Sequence, residues 1–314
     1  WLVGTFRPEG PYPILRVNGE QGSAKSTLCR ILRELIDPNQ ALVRSAPNGE
    51  RELIVSAQNA HLLVLDNLSY MPPWLSDSLC RLSTGGGFSS RALYTDWTEA
   101  VFNGSRPIIL NGIPDLAGRA DLADRSLCLT LTSISEAERR TERELIQNFM
   151  EDRPYVLGAL LDAVSSALRR EKAARPLCFP RMSDFSAWVA AAEPGLGWIE
   201  GKFSRAYEAN RTASIYDTID ADTVAAAVVG LIRIEHNWEG APTTLHEVLG
   251  QHIPEEIRKG RAWPAPNKLK ERLRRAQPAL RSVGIHMDLE IRAPTRDRQR
   301  IYKIWSNREI CSDE

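Results

Sequence analysis

Apolar residues run through the chain in two rhythms. In the first part they form short runs, interrupted only by Arg16: Ile14-Leu15-Arg16-Val17, Leu62-Leu63-Val64-Leu65, Ile108-Ile109-Leu110 and Leu127-Cys128-Leu129. Runs of that length, bounded by Gly, Pro or Asn, read as strands of a parallel sheet buried on both faces. Ala41–Ser45 reads as one more, which makes five. Between the runs the spacing turns helical, at Leu28, Ile31, Leu32, Leu35 and Ile36, then over Glu52–Ala57, then over Ser76–Leu82. Alternating strands and helices predict an α/β layer architecture. Thr84-Gly85-Gly86-Gly87-Phe88 interrupts this order, and Ser90–Thr95 and Glu99–Phe102 follow as a β-hairpin about an Asp96-Trp97-Thr98 turn.

From Ser133 the rhythm is helical. Ser135 with Glu136 and Glu138 reads as a capped start. Leu145, Ile146, Phe149 and Met150 share a face, and Pro154 is placed to open a second helix, with Leu160, Val164 and Leu168 following it. Met182–Ala192, Phe203–Asn210 and Val224–Ile234 read as further helices. Their aromatic residues, Phe179, Phe185, Trp188, Trp198, Phe203 and Tyr207, read as core. Near the C-terminus, Thr243–Leu249 and Asn267–Arg275 predict two helices, with Pro278 either breaking the second or starting a short one. Ile285–Ile291 and Arg300–Ile304 then alternate like two strands. Helix, helix and hairpin predict a winged helix-turn-helix module. The boundaries are 1–133 for the α/β core, 134–238 for a helical lid and 239–314 for the winged module.

Composition changes this picture little. The 314 residues are 43% hydrophobic and 25% charged, with a formal net charge of zero, which is ordinary for a globular chain. No run approaches a membrane span and no secretory signal is visible. The chain begins at Trp1, so a fragment of a longer protein is expected. The five cysteines include no CxxC pair, which argues for a reducing, cytoplasmic setting and no zinc site. None of the histidines has metal-like spacing. Charge is uneven, however: residues 258–303 carry 14 Lys/Arg against 4 Asp/Glu, leaving +10 there and −10 over the remainder. Such a segment points to nucleic acid, here through Lys268, Lys270, Arg272, Arg274, Arg275 and Arg298. A solvated basic face, or a module that docks protein, would show the same composition.

The candidate chemistry lies at Gly19-Glu20-Gln21-Gly22-Ser23-Ala24-Lys25-Ser26-Thr27, between the first strand and the first amphipathic helix. Strand, glycine-bearing loop and helix are the setting in which backbone N–H groups cradle phosphates. Lys25 would reach the outer phosphates of ATP, and Ser26 would help hold Mg²⁺. Ala24 replaces the usual glycine, and alanine fits if its φ is negative. Asp66 ends the run Leu62–Leu65, where it would hold Mg²⁺ beside the loop. The next residue is Asn67, which cannot take a proton, so Glu20 and Asp77 become candidates for the base. Asn111 ends another strand, either to sense phosphate or to serve the turn before Gly112.

The order P-loop, apolar run with Asp66, glycine-rich break, hairpin, strand ending in Asn111, then Arg125 before a last strand resembles the superfamily 3 helicases of the AAA+ class. The likeness is to the poxvirus- and phage-type primase–helicase ATPases and prophage-encoded ATP-binding proteins, over roughly residues 10–135. It implies a Mg-ATP-dependent, ring-forming DNA helicase or translocase of phage or mobile-element replication. Lys25, Ser26 and Asp66 would hold nucleotide and magnesium, and Asn111 would be the phosphate sensor. Arg125, or Arg119, would reach the site of a neighbouring subunit of a homo-hexamer. Arg125 could equally pair with Asp121 or Asp124. The hairpin, with Arg91 and Trp97, would grip single-stranded DNA in the pore, although Trp97 could equally pack against neighbouring protein, and the winged module could take duplex. Ala24 and Asn67 depart from the family pattern and leave room for a second reading: a nucleotide-gated DNA- or partner-binding switch with weak hydrolysis.

Overall fold

The computed structural model describes residues 1–91, 99–102, 104–112, 120–172, 174, 181–260, 262–292 and 300–307. The chain forms two compact units: residues 1–116 with 121–211, and residues 117–120 with 212–314. In chain order the first holds α1 (Leu2–Thr5), β1 (Ile14–Gly19), α2 (Lys25–Ile36), α3 (Glu50–Gln58), β2 (Leu63–Leu65), α4 (Pro73–Thr84), β3 (Phe88–Arg91), β4 (Glu99–Phe102), β5 (Ile108–Asn111), α5 (Ala120–Ala123), β6 (Ser126–Leu131), α6 (Glu142–Arg170) and α7 (Ser183–Ala192). Helix α8 (Lys202–Ala221) runs from the first unit into the second.

The sheet is parallel and ordered β2-β5-β1-β6. Successive side chains of a strand face opposite ways, and the core divides accordingly. Ile14, Leu63, Leu65, Ile108 and Leu110 pack with Leu53, Leu75 and Leu79 of α3 and α4. Leu15, Val17, Val64 and Ile109 pack with Cys29 and Leu32 of α2. The continuous apolar runs are therefore explained by burial on both faces. Helix α4 has Pro73 in its first turn and Gly85 at its end with φ +91°, the usual asymmetry of helix termini.

Four strands stand in this sheet among the described residues, where five were expected. Ala41–Ser45 supplies one bridge, Arg44 to Leu65. Arg44 N–H donates to Val64 O (2.9 Å), and Asp66 N–H donates to Arg44 O (2.8 Å). An Asn39 turn, whose side chain accepts from Ala41 N–H at 3.0 Å, and Pro47 confine the extended stretch to that single point. Edge strand β6 is completed by a side chain instead: Asn210 Oδ1 accepts from Cys128 N–H (2.9 Å), and Asn210 Nδ2 donates to Cys128 O (2.6 Å). The hairpin β3–β4 is antiparallel, with Phe88 opposite Phe102 and Arg91 opposite Glu99. Its Asp96-Trp97-Thr98 turn lies outside the described residues.

The helical segment departs from expectation at its start. Glu136–Glu138 is a 3₁₀ turn. The helix proper opens later, with Thr141 Oγ1 accepting from Glu144 N–H at 3.2 Å. Helix α6 runs 29 residues with Pro154 inside it, rather than beginning again there. Pro154 and Met150, four residues earlier, are both exposed, so the turn in which proline removes a donor lies on the solvent side of the helix. Phe185, Trp188, Phe203 and Tyr207 form the core of this layer with Val3 and Leu160. Trp198 does not join them. It is 38% exposed, with Lys202 Nζ 5.1 Å from its ring centre. Phe179 lies outside the described residues. Glu193 is buried and accepts from Gly201 N–H (2.8 Å) and Phe203 N–H (2.6 Å), fixing the start of α8.

The second unit continues with α9 (Thr223–Glu235), β7 (Asn237–Gly240), α10 (Pro242–Leu249), α11 (Glu255–Lys259), α12 (Leu269–Ser282), β8 (Ile285–Arg292) and β9 (Arg300–Ser306). Asp222 caps α9 through Val224 N–H and Ala225 N–H. The strands form a separate antiparallel sheet, β7-β9-β8. Its core joins Val228, Leu231 and Ile232 of α9, Leu245 and Leu249 of α10, Leu269, Leu273 and Leu280 of α12, and Ile285 and Ile304. Pro278 lies inside α12 instead of breaking it. Among the described residues, no helix is long and apolar enough to cross a membrane.

Candidate functional site

The parallel sheet brings three strand ends together. Strand β5 lies between β2 and β1, so Asn111 at its end falls between Asp66, just past β2, and the loop that leaves β1. Ser26 Oγ donates to Asp66 Oδ1 at 3.1 Å. Asn111 Nδ2 donates to Ser26 Oγ at 3.2 Å and also to Asp66 Oδ1. Three side chains 85 positions apart at the extremes thus meet beyond the C-terminal ends of the strands, where parallel α/β sheets bind ligands. Asn111 is 3% exposed, and its Oδ1 is buried with no hydrogen-bond partner.

The loop itself is bent by a series of positive-φ residues. Gly19 (φ +143°), Gly22 (φ +85°) and Ala24 (φ +59°) all have positive φ. A Cβ on Gly19 would meet Leu131 O at 2.6 Å and Ser23 Oγ at 2.7 Å. Ala24 is a correction: its negative φ was expected, yet it is left-handed, the conformation that explains why glycine is usual before the lysine. Lys25 turns back into the loop, donating to Gly19 O (2.7 Å) and Glu20 O (2.6 Å) with Ser23 Oγ at 3.4 Å. Ser23 is buried, and its hydroxyl donates to Glu20 O at 2.8 Å. Gln21 and Thr27 fall within the same loop and first helical turn.

Asn67 follows Asp66 with φ +53°, and its N–H donates to Asp66 Oδ1 at 3.0 Å. Left-handed backbone suits asparagine far better than glutamate. The amide at this position is thus accounted for by conformation, and its exposed side chain stays out of the Ser26–Asp66–Asn111 cluster. Glu20 and Asp77 are exposed, on the loop and on α4. Beneath the site, burial, followed by the charge of Asp66, pushes the Cys29 thiol up to about 12. It is therefore an inert core group.

Arg125 is turned into its own fold. Its guanidinium donates to Asp121 O at 2.9 Å and pairs with the Asp121 carboxylate, and the side chain is 13% exposed. Arg181 and Arg211 pair with Asp124 at 3.1 Å each. One basic residue that sequence reasoning missed lies at the loop: the Arg139 guanidinium comes within 3.5 Å of where a Gly22 Cβ would be. Its position soon after β6 was the available signal, but nothing in the spacing said which way the chain turns.

A sequence model of the actinomycete integrative conjugative element replication proteins matches residues 1–210. A second, for the C-terminal domain of the RepA proteins of these elements, matches residues 224–311. The chain belongs to this family. It is a replication protein of a mobile element. No curated protein matches it. Among solved structures it is similar to a DNA polymerase III gamma subunit-related protein of Thermotoga maritima, at 13% identity over 85% of this chain and 95% of that one. The TM-score is 0.27, too low to bear on the fold.

The C-terminal unit of this replication protein holds the expected DNA-contact residues, most of them already paired. Lys270 (3.3 Å) and Arg274 both reach Glu290 on β8. Arg272 reaches Asp222 (3.3 Å), and Arg275 reaches Glu271 (3.2 Å). Lys268 is exposed just before α12. Arg119, Trp97 and Arg298 lie outside the described residues, as does the Arg91 side chain. Among the described residues no cluster of three metal-ligating side chains occurs.

Proposed function

We propose that this replication protein binds Mg-ATP at the Gly19–Thr27 loop and hydrolyses it to drive work on DNA, as a ring-forming helicase or translocase. The observation that carries the reading is the Ser26–Asp66–Asn111 cluster beside Lys25. A hydroxyl and a carboxylate 3.1 Å apart suit a magnesium ion shared with phosphate, and the loop has the positive-φ backbone of a phosphate cradle. The partnerless Asn111 Oδ1 suits the acceptor role: it can take a hydrogen bond from an attacking water while Nδ2 stays tied to Ser26 and Asp66. Magnesium would neutralise phosphate charge, with Ser26 and Asp66 holding it. Lys25 would exchange its two loop carbonyls for phosphate oxygens.

The sheet order, with Arg44 adding a further position beside β2, supports the AAA+ superfamily 3-like reading of the core. The C-terminal order α9-β7-α10-α12-β8-β9 with sheet β7-β9-β8 supports a winged helix, in which α12 would face duplex DNA and the β8–β9 loop the phosphates. Phosphate contacts by Lys268, Lys270, Arg274 and Arg275 would make binding strongly salt-dependent. Single-stranded DNA would pass the β3–β4 hairpins of a homo-hexamer, in the cytoplasm with the element's DNA.

A second reading is favoured by a specific observation. Asn67 offers no base, and Arg125 is held by Asp121. A nucleotide-gated loader or recruiter with slow hydrolysis would need neither. ATPase and strand-unwinding assays with and without single-stranded DNA, against Lys25→Ala, separate the two. DNA-stimulated turnover with unwinding supports the motor. Mg-ATP binding with turnover no higher than that of Lys25→Ala leaves the switch.

A further inference from the structure

We infer that Arg139 is a phosphate-binding residue of the nucleotide site, closing the loop from outside in the same chain. The inference rests on the nucleotide reading and extends it to a residue that no strand-end or loop pattern includes. Strand β6 runs beside β1 along its length, and its last residue, Leu131, is registered with Gly19 where the loop begins. The chain leaving β6 must therefore pass the loop. It makes the 3₁₀ turn Glu136–Glu138 there before α6 begins. Arg139 directly follows that turn, and its Nη2 would lie 3.5 Å from a Cβ on Gly22. Gly22 has φ +85° and no side chain, so the guanidinium meets bare loop backbone, on the element whose N–H groups are the cradle.

The charges around Arg139 leave it available. Among the described residues its guanidinium has no carboxylate partner. Glu138, the acid beside it, accepts from Ser135 Oγ at 2.7 Å, and Glu142 pairs with Arg30. Arg139 is exposed, so it contributes nothing to the core. A planar guanidinium over a phosphate cradle is suited to two parallel hydrogen bonds with phosphate oxygens. Lys25, whose ammonium is held by Gly19 O and Glu20 O, supplies a point charge from within. Between them a nucleoside polyphosphate would be held from both sides of the loop.

The test is Mg-ATP affinity of the full chain by calorimetry, for wild type, Lys25→Ala, Arg139→Ala, Arg139→Glu and Arg140→Ala. Arg139→Ala is expected to weaken binding about ten- to a hundredfold, the loss typical of a charge-assisted phosphate contact. Arg139→Glu should weaken it further, and Arg140→Ala should stay within about twofold of wild type. The nucleotide-free melting midpoint should be the same in wild type and Arg139→Ala. Arg139→Ala within about twofold of wild type, with Lys25→Ala deficient, overturns the inference and leaves the nucleotide site standing. Equal losses in Arg139→Ala and Arg140→Ala also overturn it, in favour of general charge. A wild-type chain that binds no Mg-ATP removes the nucleotide reading and this inference together.

Discussion

Gly112 lies against the backbone of Asn67: a Cβ added to Gly112 would sit 2.9 Å from Asn67 Cα and 2.6 Å from Leu68 N. The two segments are joined there by Leu68 N–H donating to Asn111 O at 3.0 Å. This contact sets how closely Asn111 and Asp66 approach, because each is the direct neighbour of one of the touching residues. Gly112 also has φ +115°, so alanine there adds backbone strain to overlap. Gly112→Ala is expected to cost roughly 2–4 kcal/mol of stability. Chemical denaturation measures it, and a loss well under that range would show that the strand ends can shift apart.

Ala24 carries strain at the same site. A left-handed alanine costs about 1–2 kcal/mol, and glycine gives part of that back in unfolded-chain entropy. Ala24→Gly is expected to stabilise the protein by roughly 0.5–1 kcal/mol, read as a rise in the urea midpoint at unchanged slope. Destabilisation would mean that the alanine methyl makes packing contacts worth more than the strain.

The legible and illegible parts of this molecule separate on physical grounds. Strands β1, β2 and β5 show in the sequence because burial on both faces demands nearly continuous apolar runs, whereas the edge strand β6, with Leu129 40% exposed, shows by its run alone. Asp66, Asn111 and Ser26 could be picked out because strand ends and a loop–helix junction are themselves sequence features. Backbone sign at Ala24 was not legible, since no side-chain pattern reports φ. Pro154 and Pro278 read as breaks, yet each sits inside a helix, because an exposed turn tolerates a missing donor. Strand β7, Asn237–Gly240, has no strand rhythm of its own and becomes a strand by pairing with β9. Trp198 read as core by type alone. The ion pairs of Arg125 and Arg274 depend on which carboxylate the fold brings near, which composition does not disclose.

Removing Asp66's charge separates binding from turnover in the proposed site. Asp66→Asn keeps a group able to bond Ser26 and Asn111 but removes the carboxylate, leaving only the neutral Ser26 hydroxyl to hold a magnesium ion. Hydrolysis is expected to fall about 10²–10³-fold, with nucleotide affinity reduced far less, since the loop amides and Lys25 remain. Single-turnover hydrolysis beside equilibrium binding checks this. Equal loss of both would make Asp66 a structural partner of Ser26 and nothing more.

Glu290 holds two of the cations expected to meet DNA. The hydrogen bond and charge of Lys270, then Arg274, keep its carboxyl below the usual carboxylate range. A depressed carboxylate pKa keeps the pairing intact at neutral pH, and the pairing is lost only as pH falls through the lowered value. Exposed pairs are weak, so DNA phosphate can displace Glu290, but against its charge. Glu290→Gln is expected to raise affinity for duplex DNA by about two- to fivefold at low salt, measured by fluorescence anisotropy, with the gain shrinking as salt rises. Unchanged or weaker binding would place the DNA-contacting face elsewhere than α12.

Arg125 faces a choice of partners that a mixing experiment can expose. In the single chain it holds Asp121 through both backbone and side chain, and its buried Nε has no partner. To act on a neighbouring subunit's nucleotide it must leave Asp121, so that aspartate would restrain it. Asp121→Ala, which frees the guanidinium, is then expected to raise DNA-stimulated hydrolysis, whereas Arg125→Ala lowers it by about 10³-fold or more. Adding the Arg125→Ala chain to the hydrolysis-deficient Lys25→Ala chain should restore part of the activity, because interfaces then form in which an intact Lys25 site faces an intact Arg125. Restored turnover in the mixture requires an arginine acting between subunits. Absence of any restoration, with Arg125→Ala melting lower than wild type, would leave Arg125 as the residue that fastens Asp121 ahead of β6.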